Sequence, residues 1–209
     1  MLTSLPTDII VPPDQRSFAD EYLSLRRQKF LTQKWRKICV HGLGIPWVGK
    51  TTKIHQFIRE NSQLKDIQFT QIGNDDIMQT MPDTQAAENT DWPEQAFKDF
   101  ELPARAIGYE LLREAVASGV NLLIDHSGTA EYRPTLLREI QSKWYYIIMV
   151  HVHCELKEAL RRSKIREKET KRHVPEWYFP IRQSIIERLK PVYMEIVNEF
   201  HTIDNSLPN

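Results

Sequence analysis

The sequence predicts an α/β fold in which a five-stranded, mainly parallel sheet lies between layers of helices. Short apolar segments alternate with helix-length amphipathic ones through most of the 209 residues. The run G-I-P-W-V-G-K-T at Gly44–Thr51 follows the apolar stretch 37–42 and precedes a helical pattern, the strand–turn–helix setting in which parallel sheets hold phosphate. The length suits one α/β domain with a full core, and no repeat, linker or low-complexity tract divides it. The expected organisation is a single domain over 1–209, with 1–34 an N-terminal extension and helix and 35–209 the core of the fold.

The elements follow in order. Pro6, Pro12 and Pro13 make 1–13 an extended lead-in. Phe18, Tyr22, Leu23, Leu25, Phe30 and Leu31, spaced among charges, suit an amphipathic helix within 14–34. Strands are expected at 37–41, 67–72, 121–125, 145–153 and 200–204. Helices are expected near 50–61, 93–118, 130–142, 155–169 and 175–199. Pro103 should kink or divide the second of these, and Pro180 and Pro191 should punctuate the last.

Composition narrows the class of partner. Lys plus Arg and Asp plus Glu both number 28, so no net charge recruits nucleic acid or a membrane surface. Cys39 and Cys154 fall in or beside apolar strands and read as reduced core thiols of a cytoplasmic protein. The first residues lack the basic and long apolar segments of a secretion signal, and no run has the length of a membrane span. His151 and His153 share one strand face, but no Cys/His cluster adds zinc-like ligands; for His126 a structural role outweighs contact with substrate.

The glycine turn implies nucleoside triphosphate binding. Gly44 and Gly49 let the backbone bend so that successive N–H groups face phosphate oxygens. The helix starting near Lys50 adds its positive end. Lys50 would bridge the β- and γ-phosphates of ATP and the Thr51 hydroxyl would meet Mg²⁺; Ile45, Pro46, Trp47, Val48 and Thr52 complete the nucleotide-binding loop.

Acids follow the second and third strands. In I-G-N-D-D-I-M at 72–78, Asp75 is the first choice for a base that takes a proton from an attacking hydroxyl, and Asp76 the second. Seen alone, Asn-Asp would read as a helix cap; beside a phosphate loop the catalytic reading is favoured. N-L-L-I-D-H-S-G-T at 121–129 places Asp125 where it can contact the Mg²⁺ shell. Ser127 and Thr129 suit substrate or phosphate contact as well as they suit loop capping. Glu88, Asp91, Glu94 and Glu101 make 79–110 acidic, and solvated surface is the commoner fate of each. Asp204–Ser206 is the expected purine contact.

Residues 155–175 carry Arg162 and Arg166 on one helical face, with Arg172 beyond. Arginine suits the charge that develops on transferred phosphoryl oxygens, because its planar fork stays charged and bonds oxygens in pairs. Most such charge runs are solvated helices; the position after the fourth strand favours a closing lid.

Together G-I-P-W-V-G-K-T, I-G-N-D-D-I, N-L-L-I-D-H-S-G-T and the arginine helix running into K-R-H-V-P-E resemble the zeta-toxin-type P-loop kinases over about residues 37–205. The resemblance implies a three-layer fold with strand order 2-3-1-4-5 and an arginine-bearing lid. It implies ATP- and Mg²⁺-dependent phosphorylation of a hydroxyl on a small molecule or nucleotide-sugar, such as UDP-N-acetylglucosamine, and an antitoxin partner. Carried onto this sequence, Lys50 and Thr51 serve ATP and Mg²⁺, Asp75 is the base, Asp125 the acid of the third strand, and Arg162 or Arg166 with Arg172 the lid arginines. Trp47-Val48 stands where these relatives carry Gly-Ser, so an indole either crowds the loop mouth or stacks on a substrate ring. Two other readings compete: a 5′-hydroxyl polynucleotide kinase, disfavoured by the neutral charge balance, and a nucleotide-binding interaction module without transfer activity, whose contact surface would be helix 14–34.

Overall fold

The computed structural model of the chain describes residues 2–33, 36–82, 93–170 and 174–206, with the side chains of 93–99 and 170 outside that description. The strands are β1 (Lys37–Leu43), β2 (Thr70–Ile72), β3 (Leu122–Ile124), β4 (Tyr145–His153) and β5 (Glu199–Asp204). They pair in the order β2-β3-β1-β4-β5, every neighbouring pair parallel. Parallel pairing requires a crossover between strands, and the helices supply it. They are α1 (Arg16–Arg27), α2 (Lys50–Glu60), α3 (Asn74–Thr80), α4 (Pro93–Ser118), α5 (Arg133–Gln141), α6 (Leu156–Thr170) and α7 (Tyr178–Ile196).

The order of strands fixes the layers. The crossover from β1 through α2 to β2 runs one way across the sheet, and every later crossover runs the other way. Right-handed connections therefore place α2 on one face and α4, α5 and α7 on the opposite one. Side chains agree. A Cβ at Gly42 would meet Ile54 of α2, whereas its strand neighbour His41 faces the Arg133 end of α5. Central strands buried on both sides read as continuous apolar runs, as Leu122–Ile124 and Tyr145–Val150 do. The chain's direction reverses at β1, so the crevice beyond the carboxyl ends of β1 and β3 is the expected ligand position.

Pro103 does not divide its helix. α4 runs unbroken over 26 residues, and the hydrogen bond lost to the proline is offset by burial of Ala104, Ile107, Leu111, Leu112 and Ala115. Pro180 lies in the first turn of α7, where its missing N–H would have had no partner; Pro191 is inside α7 between buried Leu189 and Tyr193. The N-terminal segment is less of a free lead-in than its prolines suggest. Leu2, Leu5 and Val11 are buried, Ser4 Oγ donates to Glu139 at 2.7 Å, and the expected long helix is a 3₁₀ turn at Pro13–Gln15 followed by α1. Arg16 pairs with Glu110 at 2.8 Å and Arg27 with Glu114 at 3.4 Å, joining α1 to α4. Arg26 donates to the Gln71 carbonyl, so α1 screens part of the β2 edge.

Candidate active site

The turn after β1 is shaped by close backbone approach. A Cβ on Gly44 would lie 2.7 Å from the Val152 carbonyl oxygen, so no other residue fits without displacing β4. Gly49 has φ 79°, and a Cβ there would lie 2.6 Å from the Asn205 amide nitrogen. Val48 is buried between them, and its carbonyl accepts from Asn205 Nδ2 at 2.8 Å and from Arg162 Nη1 at 3.5 Å. Arg162 also donates to the Asn205 carbonyl at 2.8 Å and to Glu158 at 2.7 Å. The loop is thereby braced from behind by α6 and by the turn after β5. α2 starts at Lys50 and directs its N-terminal N–H groups and the positive end of its dipole toward the cleft.

Asp125 ties the loop to the third strand. Lys50 Nζ donates to its Oδ1 and Thr51 Oγ1 to its Oδ2, while the Asp125 N–H donates to Ile72 O at 2.9 Å. Asp75 and Asp76 sit in the first turn of α3, with Gly73 in the capping position, so neither carboxylate is the N-cap residue. Asp75 faces the cleft. Asp76 instead accepts from Gln71 Nε2 at 2.5 Å. Desolvation first, then repulsion from Asp125 and Asp75, raises the Asp76 carboxyl above the usual aspartate range, although the residue keeps an exposed edge.

The cleft encloses about 270 Å³. Gly44, Ile45, Pro46, Trp47, Gly49, Lys50, Thr51 and Thr52 form its floor, with Asp75, Asp125 and Ser127 beside them. Arg166 overhangs it, its guanidinium carbon 5.8 Å from the Trp47 ring centre. Val48, Asp76, Thr129 and Arg162 do not line this space. Thr129 is buried, bonded to Ser127 Oγ at 2.8 Å and to Arg182 at 2.5 Å, and so orders the loop one layer behind the cleft. Arg172 lies outside the described residues, as do Glu88, Asp91 and the Glu94 side chain.

Several lining residues escaped the reading of the sequence. Asn74, Met78, Arg105, Val174 and Tyr178 all face the cleft, and Glu101 joins them. Arg105 is ion-paired with Glu101 one helical turn earlier, a pattern that in sequence is indistinguishable from a solvated i,i+4 pair. His126 lines the wall, its basicity pushed well below that of an ordinary imidazole by burial and then by the Arg133 charge. Behind it His41 is fully buried and held neutral down to about pH 3 for the same two reasons.

Among the described residues no group of three or more His, Cys, Asp and Glu side chains is arranged to hold a metal ion by itself. One hydroxyl (Thr51) and one carboxylate (Asp125) at the cleft floor do match the protein share of a Mg²⁺ site, which draws its other oxygens from phosphate and water. The glycine-lined cradle at the start of α2 fits a polyphosphate.

No family model matches the chain, and no curated protein matches it in sequence. Solved structures do match in shape. A chain from the PezAT chromosomal toxin–antitoxin system of Streptococcus pneumoniae superposes with TM-score 0.66 at 18% identity, over 96% of this chain and 82% of its own. The AvrRxo1-ORF1:ORF2 complex gives TM-score 0.64 at 11% identity, over 92% of this chain but only 64% of its own; the same complex has been solved with ATP. A candidate kinase from Chloroflexus aurantiacus gives TM-score 0.55 at 15% identity, over 84% and 89% of the two chains. With its all-parallel sheet in the order 2-3-1-4-5 between layers of helices, the chain shares its three-layer α/β fold with these neighbours.

Proposed function

We propose that the protein is an ATP- and Mg²⁺-dependent phosphotransferase that moves the γ-phosphoryl group to a hydroxyl of a small molecule or nucleotide-sugar. The observation that carries this reading is the convergence of Asp75, Lys50, Thr51, Asp125 and Arg166 on one cleft beyond the carboxyl ends of β1 and β3. A site that only sensed ATP would need the cradle; it would not need a carboxylate across the cleft from it.

In this reading the loop N–H groups and the α2 N-terminus hold the polyphosphate in line, and Lys50 turns from Asp125 toward the β- and γ-phosphate oxygens. Thr51 and Asp125 would hold Mg²⁺, which would supply positive charge against the transferring group. Asp75 orients the acceptor hydroxyl and takes its proton. The acceptor oxygen bonds to the γ-phosphorus as the bond to the bridging oxygen breaks, and that electron pair leaves with ADP. Arg166 spreads charge from the transferring group over its fork. Arg162 keeps the loop in register from behind.

The acceptor chamber is bounded by Glu101, Arg105 and Tyr178, which can meet a polar ring compound and an anionic group together. UDP-N-acetylglucosamine is the first candidate to assay. An antitoxin is the first protein partner to seek, since two of the structural neighbours come from PezAT and from AvrRxo1-ORF1:ORF2. A cytoplasmic location suits the two buried thiols, and no described helix is long and apolar enough to cross a membrane. Incubating the protein with a metabolite extract, ATP and Mg²⁺ and searching by mass spectrometry for phosphoryl gains tests the proposal. A phosphorylated hydroxyl compound supports it; ATP binding with no phosphorylated product across the extract removes it in favour of a nucleotide-binding interaction module.

A further inference from the structure

Trp144 closes the tight turn that joins α5 to β4, and 85% of its surface is exposed. Its φ is 67°, a backbone conformation that glycine adopts freely and a bulky L-residue does not. The Trp144 N–H donates to the Gln141 carbonyl at 2.9 Å, and a left-handed residue that closes a helix end is ordinarily Gly or Asn. Packing does not offset the strain, because the indole stands outside the core and the residues packed on it. Strain of this kind collects at functional sites.

The surroundings supply charge of one sign. Lys37 of β1 pairs with Tyr145 of β4, so Arg36 and Trp144 are the residues immediately before that pair on neighbouring strands. The Arg36 guanidinium carbon lies 3.4 Å from the Tyr146 ring centre, and Lys37 Nζ lies 5.1 Å from that of Tyr145. An aromatic face orients a cation without neutralising it. Lys143, directly before the indole, is exposed. Among the described residues none of these three cations forms a salt bridge. Glu199, the acid whose field reaches Arg36, already accepts from Tyr146 Oη at 2.9 Å and meets His201 at 2.9 Å.

We infer that this end of the sheet is a docking surface for an acidic protein segment. Trp144 covers an apolar side chain of that segment, and Arg36, Lys37 and Lys143 meet its carboxylates. An exposed indole offers a large, rigid contact at small entropic cost. Cations at its rim select a partner of opposite sign and speed the encounter. One ring and three cations make too short a track for a nucleic-acid strand, which is held over several stacked bases. The patch lies at the amino ends of β1 and β4, whereas the cleft lies beyond the carboxyl ends. Docking there leaves the cleft open, so the inference goes beyond phosphoryl transfer and does not depend on it.

The test titrates the intact protein with a labelled peptide of glutamates flanking a central Leu-Pro. The same peptide with lysines in place of the glutamates is the control. The acidic peptide should bind with a Kd of roughly 1–100 µM at low salt, and about tenfold more weakly in about 0.5 M NaCl. Trp144→Gly should weaken binding about tenfold or more, and Lys143→Glu should weaken it about threefold or more. Trp144→Gly should also melt at or above the wild-type temperature, because glycine relieves the turn; an indole that served the fold would lower it. Saturating ATP and Mg²⁺ should leave the peptide affinity within about twofold. No binding, equal binding of the lysine peptide, or wild-type affinity in Trp144→Gly would overturn the inference. Tighter binding of oligothymidine than of the acidic peptide would overturn it in favour of nucleic acid. Self-association abolished by Trp144→Gly would overturn it in favour of a second copy of the chain. If ATP does not bind, the phosphotransferase reading fails while the peptide titrations still decide this one.

Discussion

The Lys50 ammonium rests against the Asp125 carboxylate at the floor of the cleft, with only 18% and 8% of their side chains exposed. Thr51 donates to the other carboxylate oxygen, so one acid gathers both side chains at the start of α2. This joint between β1's loop and β3 makes the site a single unit.

Removing one partner of so enclosed a pair leaves the other charge uncompensated. Asp125→Asn is expected to lower unfolding free energy by about 1–3 kcal/mol. It should also weaken Mg²⁺-dependent ATP binding at least roughly tenfold. Denaturant melts and calorimetry with and without Mg²⁺ check both. Unchanged Mg²⁺ dependence would take Asp125 out of the metal site.

Arg162 and Arg166 should separate cleanly. Arg162→Ala removes two charge-assisted bonds to backbone carbonyls and should cost about 1–3 kcal/mol of stability while raising KM for ATP. Arg166→Ala, at an exposed position, should leave stability within about 0.5 kcal/mol and lower kcat instead. Steady-state kinetics beside thermal melts would show the split, and identical phenotypes would refute the division of roles.

Acid should destabilise the protein through its buried imidazoles. Burial and then Arg133 lower His41 to about 3, and burial and then Lys190 lower His151 to about 4, against an ordinary value of 6.5. The unfolded chain therefore binds protons below about pH 6.5 that the folded one refuses, and stability falls as pH drops through that window. Each histidine contributes a slope of about 1.4 kcal/mol per pH unit. Urea melts at pH 7, 6 and 5 on the wild type and His41→Gln should differ by one such slope; parallel pH curves would contradict the assignment.

What was legible in the sequence depended on whether the chain alone determined it. β4 at 145–153 and α4 at 93–118 are strongly patterned, and their bounds are those of the expectation. The second strand was expected from 67, but β3 offers Thr70 its first partner at Leu122, so pairing begins there. α1 stops at Arg27 because the chain turns at Lys29 and Phe30 to reach Val120, where Thr32 forms a bridge. Lys50, Thr51, Asp75 and Asp125 carry short motifs whose spacing is chemistry, and these four meet in the cleft. Arg162 and Arg166 share a face in sequence; only the placement of Asn205 behind the loop tells them apart. Arg105 and Tyr178 reach the cleft through the packing of α4 and α7 around it, which no local pattern encodes.

Asp75 is the residue on which the account turns, because the loop, the acid of β3 and Arg166 would serve any triphosphate-binding protein. Asp75→Asn, assayed for ATP affinity by calorimetry and for phosphoryl transfer to the acceptor found in the extract, is the most direct test. The account predicts ATP affinity within about twofold of wild type and transfer reduced roughly 10²–10⁴-fold. Transfer at a near wild-type rate by the Asp75→Asn protein would contradict it.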